Sequence, residues 1–171
     1  MTIISQSKEL QLTGYFPGVV GKITELHATY YHQNWGFDVS FETQVGKELS
    51  EFIAGFSEQR DGFWVVQIDG HFVGSIAIDG RAAHEDGARL RWLIAEPEFQ
   101  GKGTGGLLVK LAIQFCREKG YKRIYLWTFD GLDTARRLYE REGFRLCQER
   151  DVHQWGRSIR EQMFELILTA Q

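Results

Sequence analysis

The sequence predicts a mixed α/β domain whose two neighbouring parallel strands are joined by a helical crossover. Three observations support it. Helical and strand periodicities alternate through the second half of the chain. Asp69-Gly70, a strong hairpin signal, joins two β-rich runs. A glycine-dense stretch, "AEPEFQGKGTGG" (95–106), separates a strand from a helix. At 171 residues the chain fits one domain, 1–171. Such a domain buries roughly 70% of its unfolded surface and needs no metal or disulfide to fold.

Two helices come first. "GVVGKITELHATYYHQNWG" carries Val20, Ile23, Leu26, His27, Tyr30 and Tyr31 at helical spacing, and Gly36 closes it. "SFETQVGKELSEFIAGF" repeats the pattern, with Ser40 and Thr43 as candidate caps. "FWVVQIDGHFVGSIAIDG" is the hairpin, and "ARLRWLIA" is a strand ending before Pro97. "GGLLVKLAIQFCREKG" is an amphipathic helix stopped by Gly120. "KRIYLWTF" is a strand. "DGLDTARRLYEREG" is a short helix that Asp130 is placed to cap and Gly143 to end. The remainder closes as a hairpin turning near Trp155-Gly156. The order is α-α-β-β-β-α-β-α-β-β, with room for a short strand near Leu10–Tyr15. Ala88–Ala95 and Lys122–Phe129 become parallel neighbours.

A net charge of −3 and a pI near 6.0 argue against a nucleic-acid binder. The local cluster Arg136, Arg137 and Arg141 reads as a solvated helix face. Cys116 and Cys147 read as buried thiols in a reducing compartment. "MTIISQSKEL" has no basic region followed by an apolar core, and no run approaches the ~20 apolar residues of a membrane span. The expectation is a cytoplasmic protein with no membrane partner.

Gly101, Gly103 and Gly106 satisfy G-x-G-x-x-G between a strand and a helix, as in a dinucleotide site. Against that reading, "EPEFQ" intervenes after the strand, and too little chain follows for a second half. A P-loop lacks its Lys-Ser/Thr. An anion site without charged side chains survives both objections, since Cβ-free residues at a helix start leave orphan N–H donors pointing outward. Lys102 adds a positive charge. A glycine turn with no ligand is the plain alternative.

The stretch "LIAEPEFQGKGTGGLLVKLAIQFCREKGYKRIYLWT" resembles the acetyl-CoA site of the GNAT acetyltransferase superfamily. Its loop pattern Gln/Arg-x-x-Gly-x-Gly/Ala falls on Gln100, Gly103 and Gly105, and "ARRLYEREGF" resembles the second signature. The texture of 19–42 and 87–103 is similar to the acetyltransferase half of proteins fused to a MarR-type winged helix, here standing alone. The resemblance implies the superfamily fold, a central mixed sheet with splayed parallel strands flanked by helices. It further implies acetyl-CoA as acetyl donor and no metal. The coenzyme contacts would be Leu93, Ile94 and Ala95 along the strand and Gln100, Gly101, Lys102, Gly103, Thr104 and Gly105 around the diphosphate. Tyr139 aligns with the tyrosine that protonates the departing thiolate, a proton its phenol still holds at neutral pH.

Two departures stand out. Relatives often carry a glutamate on the strand before the loop, where this chain has Arg89 and Arg91. Leu132 replaces a common asparagine. Glu85, Asp86, Glu96, His27, His32 and His84 are nearby titratable groups, and the residues single out no base. Trp35, Phe37 and Trp127, with Trp155, are candidates for an acceptor pocket. The acceptor class is a primary amine of a small molecule, amino acid or peptide. Related domains are often homodimers, and no apolar stripe commits this chain to one. A non-catalytic acetyl-CoA sensor is the rival reading.

Overall fold

The computed structural model describes residues 8–169; most of the N-terminal segment read for a targeting signal lies outside them. The elements are β1 (Leu10–Thr13), α1 (Val19–Trp35), α2 (Val39–Ala54), β2 (Gly62–Ile68), β3 (His71–Asp79) and β4 (Ala88–Ala95). A 3-10 turn at Pro97–Phe99 follows, then α3 (Thr104–Glu118), β5 (Arg123–Phe129), α4 (Asp133–Arg141), β6 (Arg145–Gln154) and β7 (Arg157–Ile167). The expected order holds, including the short first strand.

Among the described residues the strands form one seven-stranded sheet, β1-β2-β3-β4-β5-β7-β6. Two hairpins set much of this order. Asp69 and Gly70 take φ of 51° and 78°, and Trp155 and Gly156 take 55° and 83°. Paired left-handed residues match the right-handed twist of the strands they join.

Among the described residues only β4 and β5 run parallel, and only Ala88↔Ile124 and Arg89↔Tyr125 pair between them. Beyond Arg89 the two strands diverge. On its other edge β4 keeps β3 company to its end, with Gly74 opposite Ala95. An irregularity there sets Ser75 and Ala77 against Ile94 and Arg91, so β4 carries one residue more than β3. Trp92, at φ 50°, marks this bulge.

The sheet is covered on both faces. Ile76, Ile78, Leu90, Leu108, Val109, Ala112, Leu126, Phe144 and Phe164 pack on the side of α3 and α4. Val19, Ile23, Phe37, Phe41, Leu49, Phe52, Trp92 and Phe129 pack on the side of α1 and α2. The bulge lets β4 serve both: Leu90 points to the first cluster and Trp92 to the second.

Three local expectations are corrected. Asp38, not Ser40 or Thr43, caps α2; its extended backbone lets the carboxylate accept from Ser40 N at 2.9 Å. Asp130 does not cap α4, which begins after Leu132 with no side-chain cap. Its amide is tied instead to Arg160 O of β7 at 2.9 Å. Cys116 is buried, and burial pushes its thiol up to about 12, but Cys147 is exposed. The latter sits on β6, an edge strand that is solvated along nearly its whole length.

Candidate functional site

The glycine stretch turns the chain from the end of β4 into α3. Gln100 Nε2 donates to Ala95 O at 3.1 Å and Glu96 N donates to Val73 O at 2.7 Å, fixing the exit from the strand. Gly101 and Gly103 have φ of 76° and 86°, a region that side chains with a Cβ rarely enter. Gly103 is the N-cap of α3, with no side-chain cap and no acidic residue in the first turn. Leu107 N bonds back to Gly103 O at 3.0 Å. The amides of Thr104, Gly105 and Gly106 therefore precede the helical ladder, at the positive end of the helix dipole. Gly105 also lets α4 come close, since a Cβ there would lie 3.1 Å from Leu138 Cδ2.

These amides border a cleft of about 610 Å³. Leu93, Ile94 and Ala95 form its strand wall, and Gln100, Gly101, Gly103 and Gly105 its turn. The β4 edge here faces β5 without a partner strand, because pairing stops at Arg89. Two of the sequence candidates stand outside the lining. Lys102 is exposed, its Nζ 5.4 Å from the Phe99 ring centre, and Thr104 is 8% exposed within α3. Trp35 lies in this cleft, its Nε1 beside Gly131. Arg137 and Arg141 border it as well, one turn apart on α4. Their i, i+4 spacing was the available signal; composition alone read them as a solvated face.

A second cavity of about 230 Å³ lies on the other side of the diverging strands, under α2 and the β6–β7 turn. Tyr31, Leu93, Leu132 and Ala135 border both spaces. Tyr139 lines the second one, 6% exposed and packed on Phe144 and Phe164. Burial holds its phenol above the ordinary value of 10.0, so it keeps its proton throughout the neutral range. Trp127 lines this cavity; Phe37, 2% exposed, lies behind the wall, its ring 4.9 Å from Trp155. Arg89, Gln44, Glu48 and Glu161 also face the cavity. Gln44 and Glu48 are one turn apart on α2, whereas Arg89 comes from β4 and Glu161 from β7, and nothing in the linear sequence brings those three elements together.

The titratable candidates scatter. His27 borders the smaller cavity, where burial lowers its pKa to about 4. Its Nδ1 donates to Ile23 O at 2.8 Å. His32 donates to Phe37 O at 2.9 Å, and His84 leans on Tyr121. Glu96 faces a separate polar pocket beside Glu98 and Lys22. Neither cavity is lined by His32, His84, Glu85, Asp86 or Glu96.

The glycine-opened start of α3 thus lies beside a parallel pair of only two rungs. The chain belongs to the acetyltransferase (GNAT) family, whose profile matches residues 22–144. It is 34% identical to YjgM, an uncharacterized N-acetyltransferase of Escherichia coli strain K12, over 60% of this chain and 62% of that one. It is 26% identical to N-acetyltransferase 8B of Homo sapiens, over 71% and 54%. The chain thus spans little more than half the length of these curated relatives. Among solved structures, yncA from Salmonella typhimurium with its cofactor acetyl-CoA superposes with a TM-score of 0.70 at 15% identity, covering 95% of each chain. No described helix is long and apolar enough to cross a membrane.

Proposed function

We propose that this chain is an N-acetyltransferase that moves the acetyl group of acetyl-CoA directly onto a primary amine of a small molecule, amino acid or peptide. One observation carries the reading: the uncapped amides of α3 and the unpartnered edge of β4 border one cleft, and that cleft meets a second cavity where Tyr139 stands. The residues fit the coenzyme. Amides of Gly103 to Gly106 suit a diphosphate, Arg137 and Arg141 supply cations at the same cleft, and Leu93 to Ala95 suit an extended pantetheine arm.

When bound, acetyl-CoA supplies an acetyl thioester open to attack by a neutral amine, with a thiolate as leaving group. The chain holds the donor on main-chain amides and orients it along β4. Free strand N–H groups beyond Arg89 are available to an acyl oxygen. Tyr139 keeps a proton at Oη, available to the departing sulfur. Aromatic side chains around the smaller cavity exclude water from the amine.

The reading extends to residues 1–171 as one such domain, working in the cytoplasm. The texture of 19–42 and 87–103 supports kinship with the acetyltransferase halves of MarR-type fusion proteins.

The test is a thermal-shift comparison of acetyl-CoA with NADPH, followed by thiol release from acetyl-CoA across a panel of amines. Stabilisation by acetyl-CoA with turnover of at least one amine is expected. Binding without any transfer identifies a sensor, and stabilisation by NADPH alone overturns the proposal.

A further inference from the structure

We infer that the acceptor amine is a small amino acid with an apolar side chain, and that Arg89 is the cation that grips its carboxylate. This rests on reading the smaller cavity as the acceptor site.

Strand geometry places the arginine. Ala88 and Leu90 are buried toward α3, so Arg89 and Arg91 project from the opposite face of β4, into the cavity under α2. Their surroundings differ sharply. Arg91 is bonded to Glu48, lies 3.6 Å from Asp79 and sits 4.2 Å from the Trp92 ring centre. Glu161, the other carboxylate on the lining, is held by Arg150 at 2.6 Å, and Arg150 in turn lies over Trp127 at 5.0 Å. Asp79 is further bound by Arg81 at 2.5 Å. Every acidic group at this cavity already has its cation.

Arg89 has none. It forms no ion pair among the described residues, and its Nε is buried without a hydrogen-bond partner. The remaining titratable groups that face it, Tyr31, Tyr139 and His27, are neutral near pH 7: burial holds both phenols up and lowers the imidazole to about 4. The charge of Arg89 is felt at Arg91, whose affinity for its proton is reduced by burial first and by Arg89 second. A buried guanidinium N–H that no group of the protein satisfies is costly, and an incoming anion removes that cost.

The cavity selects the anion. A guanidinium presents a flat fork of donors that matches a carboxylate in bidentate fashion. At about 230 Å³ the space is below the roughly 300–1,000 Å³ of drug-sized ligand pockets. Its walls include Phe41, Val45, Trp127, Trp155 and Ile159. An α-amino acid brings amine and carboxylate on one carbon and leaves its apolar side chain to those walls.

The experiment pairs amino acids with their decarboxylated counterparts: leucine with isoamylamine, and phenylalanine with phenethylamine. Wild-type kcat/KM is expected to favour each acid by about 10- to 100-fold, the span of one or two charge-assisted hydrogen bonds. Arg89→Gln is expected to abolish that preference by lowering kcat/KM for each acid to the level of its amine. Its acetyl-CoA affinity should stay near wild type because Arg89 does not line the larger cleft; Arg89→Lys keeps part of the preference. Should Arg89→Gln fold poorly, calorimetry of leucine and isoamylamine against the wild-type protein saturated with coenzyme A gives the same comparison without a variant. Transfer to amines with no preference for the acids, or a preference that survives Arg89→Gln, overturns this inference and leaves the acetyltransferase reading standing. Stronger use of an aminoalkyl phosphate than of any amino acid overturns the carboxylate assignment. Failure to bind acetyl-CoA at all removes the parent reading and this inference together.

Discussion

Trp155 Nε1 donates a 2.9 Å hydrogen bond to Gln44 Oε1, joining the tip of the last hairpin to the middle of α2. The two residues face the same cavity from opposite ends of the sequence. Two further bonds support the join: Asp38 N donates to Trp155 O at 3.0 Å, and the Arg157 side chain donates from Nη1 to Trp35 O at 2.5 Å. The hairpin tip is therefore a roof fastened to both sides of the α1–α2 connection.

Removing the roof is expected to affect the acceptor and spare the donor. Trp155→Ala should raise the acceptor KM by about tenfold or more, from lost aromatic contact. The KM for acetyl-CoA should stay within about twofold, because Trp155 does not border the larger cleft. Steady-state kinetics with each substrate varied in turn decides it. An unchanged acceptor KM would show that the amine binds elsewhere.

Tyr139→Phe should keep acetyl-CoA affinity and lower kcat by about 100-fold. Because burial raises the phenol's pKa above 10.0, the wild-type enzyme should show no alkaline loss from this group below about pH 10. A kcat unaltered by the substitution takes Tyr139 out of the chemistry.

Gly103→Ala tests the turn. Its φ of 86° makes any Cβ costly, about 1–2 kcal/mol, although nothing lies within 4 Å of where that Cβ would sit. The expected outcome is a tenfold or greater weakening of acetyl-CoA binding, measured by calorimetry, as the α3 amides are re-aimed (order of magnitude from about 1.4 kcal/mol per decade). Retained affinity would mean that the turn tolerates a shift without losing its ligand.

His27 makes stability depend on acidity. Its pKa falls from 6.5 to about 4 in the folded protein, so the native state favours the neutral ring. That contribution is fully present above pH 6.5 and is lost as pH falls toward 4, since only the unfolded chain binds the proton in that window. The full loss is on the order of 3 kcal/mol. Urea unfolding of wild type and His27→Gln at pH 7 and pH 4.5 should show a smaller drop for the variant. Equal drops would assign the acid sensitivity to other groups.

How much of this was legible beforehand varies with the range of the interactions involved. Asp69-Gly70 and Trp155-Gly156 announced their hairpins because the turn type is a property of two adjacent residues. The glycine stretch announced its helix start for the same reason. Caps were harder: Asp38 and Ser40 are equally plausible letters, and only the chain's extended approach at Asp38 chose between them. Cys147 looked like a core residue until the sheet order put β6 on the edge. The isolation of Arg89 was out of reach altogether. It depends on Glu48 and Asp79 both going to Arg91, and on Glu161 going to Arg150, pairings that span the whole chain.

The parallel pair of two rungs has a mechanical side. Strands β1 to β4 and β5 to β7 are close to two half-sheets riveted at one end, with α3 as the strap between them. On the proposed reading, a coenzyme wedged into the fissure would stand in for the rungs the backbone forgoes. At a concentration a hundred times its Kd it contributes about 2.7 kcal/mol against unfolding. On that reading, the protease resistance gained on adding acetyl-CoA gauges how far the fissure is filled.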